Sequence, residues 1–218
     1  MTFSAHALEP PSVLGVYQRS WTSLKQYFLE LLAITVLWGI LSLPSGFSDG
    51  WFAQFVVTAY QVLVLGPLSF GGLYAMLTAT RGRQPEVGLL FVAFQRCYWP
   101  SVLANFLLSV ALMVGFALLI VPGIFLAVRL GFVPYLVVDE DLDPVAAFRE
   151  SWRRTAPVGW TLLGAMLLAI PITIGGLMLL VVGVLPALIW TSLAFARLFV
   201  EATELDRRSP VIELGTPS

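Results

Sequence analysis

The stretch IVPGIFLAVRLGFVPYLVVDEDLDPVAAFRESW, Ile120 to Trp152, decides how the chain is built. It opens on a Pro-Gly pair, Pro122-Gly123, and runs apolar except for one arginine, Arg129. It then turns abruptly acidic at Asp139-Glu140-Asp141 and restarts as a short helix at Asp143-Pro144. An arginine inside an apolar span costs about 3 kcal/mol even on permissive insertion scales, so a chain that keeps one must partner it. Asp143 before Pro144 has the form of a helix N-cap followed by a first-turn proline. The helix it opens carries Phe148 and Trp152 on one side, with Arg149, Arg153 and Arg154 on the other.

Outward from this stretch, the whole chain has the same character. Of 218 residues, 58% are hydrophobic and 11% are charged. Soluble domains carry about a quarter charged residues, so a soluble body is excluded, and with it a clustered basic surface for nucleic acid. The apolar runs place spans at about 26–43, 51–80, 101–121, 124–138, 158–182 and 185–200, each long enough to cross a bilayer or nearly so. Gly66-Pro67 marks the long second run as either one kinked span or a span with an added surface helix. No cleavable leader is expected, because residues 1–12 lack a basic segment.

Lys and Arg, Arg129 apart, gather near 19–25, 81–96, 149–154 and the end of the last span. The 44–50 loop and the turns near 122 and 183 have none. By the positive-inside rule both termini are expected in the cytoplasm. Before each pair of spans stands a similar pentapeptide: Tyr17-Gln18-Arg19-Ser20-Trp21, Phe94-Gln95-Arg96-Cys97-Tyr98 and Phe148-Arg149-Glu150-Ser151-Trp152. Its aromatics, four residues apart, share one helix face and suit a headgroup layer. The expectation is an all-α polytopic membrane helix bundle. Six transmembrane helices form three hairpins, each preceded by a cytoplasmic amphipathic helix, with units at 11–80, 81–142 and 143–200. Tails at 1–10 and 201–218 flank this single membrane domain.

The Val121–Trp152 stretch resembles the YciC-like family of bacterial integral membrane proteins. It is also similar to the membrane domain attached to some glycerophosphodiester phosphodiesterases. The matching positions are Pro122, Gly123, Arg129, Asp139, Glu140, Ala147, Phe148, Ser151 and Trp152. The chain departs from the pattern at Arg153-Arg154-Thr155-Ala156-Pro157, where the relatives tend to a Thr-Arg-Gly-like segment. The resemblance implies the fold and the bacterial inner membrane, and no reaction.

The candidate ligand residues are Arg129, Glu30, Arg149, Arg153 and Arg154. Helix rise puts Arg129 about 15 Å from the acidic boundary. Two readings stay open: a functional one, as a site for an anion or lipid phosphate or as a gating charge, and a structural arginine that donates to carbonyls or to Glu30. Glu30 reads first as a helix-interface acid and second as a proton-coupling group. Arg197 and Glu201 are expected to pair locally. The acidic cluster suits a helix start better than a metal site. The small-residue pairs Ala111/Gly115 and Ala165/Ala169 are read as packing seams first. No His or Lys lies in a span to activate a nucleophile, and no metal or cofactor is expected. The expected function is a non-enzymatic, lipid-interacting membrane protein that supports envelope homeostasis or a partner, with phospholipids and a homo-oligomer or membrane protein as partners. The alternative is a small transporter or channel with a midplane site at Arg129 and Glu30.

Overall fold

A computed structural model describes residues 12–43, 50–178 and 184–213. Among the described residues every regular element is helical. Five helices are long and apolar enough to cross a membrane, and a sixth crossing exists if one bent pair counts as a span. The expected 44–50 loop, the turn near 183 and the N-terminal tail lie mostly outside the described residues.

The bent pair is α1, Val13–Gln26, and α2, Phe28–Ser42, which meet at 91° at Tyr27. Ser12 caps α1 by accepting the Gly15 N–H at 3.3 Å, as an N-cap serine should. The second run is one continuous helix, Trp51–Thr80, so the added surface helix is not formed. It comprises α3, Trp51–Tyr60, a π-helical turn at Gln61–Leu65, and α4, Gly66–Thr80. Proline has no N–H, so Pro67 leaves the Leu63 carbonyl without its helical donor. Tyr98 supplies one: its hydroxyl donates to Leu63 O at 3.2 Å.

The amphipathic helix expected around the Phe94–Tyr98 pentapeptide is short and broken. It consists of a 3₁₀ segment, Val87–Phe91, and α5, Val92–Arg96, and stops at Cys97, whose φ of −139° and ψ of 46° leave the helical region. Tyr98 therefore starts the next span, α6, Tyr98–Leu118. The turn between the third and fourth spans is also displaced. The chain reverses at Leu119, in extended backbone, and Pro122-Gly123 fall in the first turns of α7, Ile120–Leu130. Proline is tolerated there because first-turn N–H groups have no intrahelical partner. A β-carbon on Gly115 would come within 3.2 Å of the Gly123 Cα, so the Ala111/Gly115 seam is a close helix approach within the chain.

The fourth span breaks at Gly131-Phe132 and resumes as α8, Val133–Asp139, with Pro134 in its first turn. Val133 and Tyr135 through Val138 are all buried, so this half-span is core and not lipid-facing surface. The Phe199 ring stacks on Tyr135 at 5.1 Å and meets the Phe132 ring edge-on at 5.5 Å. Then come α9, Pro144–Arg154, α10, Gly159–Met178, and α11, Val184–Glu213. The polar tail expected from Glu201 is instead a continuation of α11, held by ion pairs from Arg19 to Glu201 and from Arg153 to Asp206.

Candidate functional site

The α7–α8 break creates the local need that shapes the site. A helix interrupted at a proline strands backbone groups, and these must find partners. Ser151 on α9 meets two of them. Its hydroxyl donates to the Arg129 carbonyl at 2.8 Å and accepts the Phe132 N–H at 3.3 Å. Ser151 is fully buried. The small residue of the third pentapeptide thus splices α9 onto the broken span. The equivalents Ser20 and Cys97 are buried as well, but the chain breaks at different distances from them, at Tyr27 and at Cys97 itself. Ser151→Ala would orphan the Phe132 N–H and leave the Arg129 carbonyl only the Thr155 hydroxyl at 3.3 Å, and is expected to cost about 1–3 kcal/mol. Ser151→Thr, which keeps the hydroxyl, should cost less, and thermal unfolding in a mild detergent would compare them.

Docking α9 against α7 also decides where Arg129 goes. Its guanidinium lies 5.3 Å from the centre of the Phe125 ring and 5.3 Å from that of Trp152. One of its nitrogens donates to the Trp152 carbonyl at 3.4 Å. Arg129 is therefore level with the last turn of α9. Glu30 is elsewhere: its carboxylate accepts from the Gln84 amide at 3.1 Å. The expected Arg129–Glu30 zone does not assemble, and Glu30 pairs with neither Lys25 nor Arg197. Arg197 also leaves Glu201 to Arg19, and donates to Ser23 Oγ at 3.0 Å and the Thr80 carbonyl at 3.4 Å.

The acidic cluster has a role that local sequence does not suggest. Asp141, at φ 52°, terminates α8 in the left-handed conformation, and Leu142 N–H returns to the Leu136 carbonyl at 3.4 Å. Asp143 holds the N-cap position of α9 without a side-chain cap bond, so the cluster belongs to the end of α8 and not to the start of α9. Acids at a helix C-terminus oppose the macrodipole. Three arginines from three segments offset this. Arg81 grips Asp139 at 2.6 and 2.7 Å, Arg154 grips Glu140 at 2.6 and 2.9 Å, and Arg96 meets Asp141 at 2.9 Å.

Of the remaining candidate arginines, two are consumed in the same network. Arg153 reaches Glu150 and Asp206, and Arg154, with only 10% of its side chain exposed, also binds Glu150 at 2.6 Å. The sequence set both on the polar side of α9; the structure makes them a clasp between α8, α9 and α11. Arg149 differs. It is exposed and has no ion-pair partner among the described residues. It lines an open groove of about 420 Å³ with Ala111, Leu126, Leu130, Phe148 and Trp152, all apolar, at the junction of α6, α7 and α9.

The aromatic belt divides. Trp21 and Trp152 are exposed, whereas Tyr17 is core: it is 3% exposed and donates to the Ala165 carbonyl at 3.0 Å. Phe94, Tyr98 and Phe148 are half-buried. The i, i+4 pattern identified the shared face but not how deep each ring sits, which the neighbouring helix sets. Trp160 and Trp99, outside the pattern, are more exposed than any belt member.

No family model matches the chain, and no solved structure matches it. Over 90 residues it is 32% identical to a UPF0259 membrane protein of Sodalis glossinidius (strain morsitans). The match covers 41% of this chain and 36% of that relative's length, so the chain spans about a third of it. Similarity to a membrane protein, together with several helices of spanning length and composition, makes this a multi-pass membrane protein with an all-helical bundle.

Proposed function

We propose that this protein is a non-enzymatic membrane module that holds phospholipid at the charged end of its bundle, in service of envelope homeostasis or a partner protein. The observation that carries the proposal is the α6–α7–α9 groove, where apolar walls suit an acyl chain and Arg149 stands unpaired at the rim. Arg129, clamped between Phe125 and Trp152, adds a second guanidinium beside Trp152, and two such groups suit a phosphate. The charged end would face the cytoplasm of a bacterial inner membrane, with α1, α5 and α9 in the headgroup layer ahead of three hairpins. The similarity to a UPF0259 membrane protein supports a YciC-like placement, and that name carries no activity.

Native mass spectrometry of protein released from a mild detergent tests the proposal. Arg149 has no ion pair or side-chain hydrogen bond among the described residues, so Arg149→Gln should leave the fold intact and is the informative variant. Loss of one charge-assisted contact should weaken phospholipid retention about tenfold or more. Arg149→Gln retaining phospholipid like the parent protein, or a parent retaining none, would overturn the proposal.

A further inference from the structure

A second groove, of about 300 Å³, opens between α2, α4 and α11, away from the Arg149 site. Its walls are Ile34, Trp38, Leu73, Met76 and Leu188, with Gly72 leaving room between them. Three hydroxyls line it too, one from each helix: Thr35, Ser69 and Ser192. Their hydrogen bonds are unequal. Thr35 donates to the Leu31 carbonyl at 2.8 Å and Ser69 to the Gly66 carbonyl at 2.7 Å. Each has spent its single proton on its own helix and keeps only acceptor capacity. Ser192 makes no such bond, and among the described residues its hydroxyl has no partner. The groove therefore offers one free donor and two acceptors in an otherwise apolar setting.

Depth sharpens the meaning of that pattern. Thr35 lies seven residues beyond Phe28, the first residue of α2, which is about 10 Å of helix rise from the bend. In a bilayer this depth is hydrocarbon, where a polar group without a partner is costly. No charged residue lines the groove, so a charged occupant would stand uncompensated. A plain acyl chain would leave Ser192 unsatisfied. A carbonyl could accept from Ser192 but could not use Thr35 or Ser69. A hydroxyl can accept from Ser192 and give its own proton to Thr35 or Ser69.

We propose that the α2–α4–α11 groove is a binding site for an uncharged aliphatic molecule bearing a hydroxyl group, with Ser192 as its donor and Thr35 or Ser69 as its acceptor. The site is independent of the phospholipid groove. Its wall on α4 begins just after the π-helical turn, so an occupant would bear on the least regular part of the longest span.

The test is photolabelling with a diazirine-bearing octanol, with the protein in lipid nanodiscs and peptides mapped by mass spectrometry. Saturable labelling is expected on the peptides that carry Trp38 and Met76, competed by 1-octanol and not by octane. Ser192→Ala, which removes the donor and little volume, should weaken labelling about fivefold. Gly72→Leu, which fills the groove, should abolish it. Labelling of these peptides that never saturates, or equal competition by octane, would overturn the proposal. So would labelling unaffected by Ser192→Ala. Because Ser192→Ala leaves the packed contacts in place, a folding failure of Gly72→Leu alone would not blur the outcome.

Discussion

Arg154→Leu is expected to destabilise the protein by about 3 kcal/mol, read as a lowered unfolding midpoint in detergent. Removing this guanidinium leaves Glu140 without its bidentate partner and strips a bond from Glu150, with Thr203 and Asp206 close by. The side chain is 10% exposed, so water cannot easily replace what is lost. Arg153→Leu is the control. Its side chain is 58% exposed, and the loss should stay near or below about 1 kcal/mol. Equal losses for the two variants would contradict a buried clasp. Acid should weaken the same clasp. Hydrogen bonding from Arg153, joined by Arg154 and opposed by partial burial, holds the Glu150 carboxyl below its ordinary value. A depressed folded-state value means that the stabilisation is present above the unfolded carboxylate range. It is lost as pH falls through the depressed one. Parent protein should therefore lose stability on acidification below about pH 4, and Glu150→Gln should flatten that response.

Gly71→Ala is expected to cost about 2–3 kcal/mol, although alanine ordinarily favours a helix over glycine. A β-carbon at Gly71 would overlap the Leu90 carbonyl, which is backbone and cannot rotate away. Leu90 is fully buried with Ile34, Leu68 and Ala75, so pushing the 3₁₀ segment outward opens that cluster. At neighbouring Gly72 a β-carbon would meet only the tip of the Leu90 side chain, at 4.0 Å. Gly72→Ala should therefore be neutral or stabilising by about 0.5–1 kcal/mol. The two midpoints, measured side by side, decide the matter. Similar values would mean that α4 and the 3₁₀ segment do not make this close approach.

Much of the architecture was legible because a bilayer leaves little choice. Backbone groups in hydrocarbon must bond within their own segment, so long apolar runs become helices. The errors cluster where helices stop. Pro122-Gly123 read as a turn, and Gly66-Pro67 as a kink or an added surface helix. The first is absorbed where N–H groups are already unpaired, and the second opens a π-turn served by Tyr98. At the candidate site, Arg129 bonds Ser151 and Trp152, and Arg149 lines a groove with Trp152. Glu30 bonds Gln84 and not Arg129, because depth along a helix says nothing about which neighbour it faces.

By itself the sequence determined that this is a polytopic helical membrane protein, and which residues are costly to keep in one. Only the tertiary structure decided the partners. Asp139 finds Arg81 across 58 residues, Ser23 receives Arg197 across 174, and the Arg129 guanidinium stacks on a ring from another helix. Helical periodicity relates residues three or four apart on one cylinder. Which cylinders lie side by side, and at what height, is set by close approach at positions such as Gly71 and Gly115 and by the breaks at Tyr27, Cys97 and Gly131-Phe132. Those are properties of packing between segments, and no local pattern encodes them.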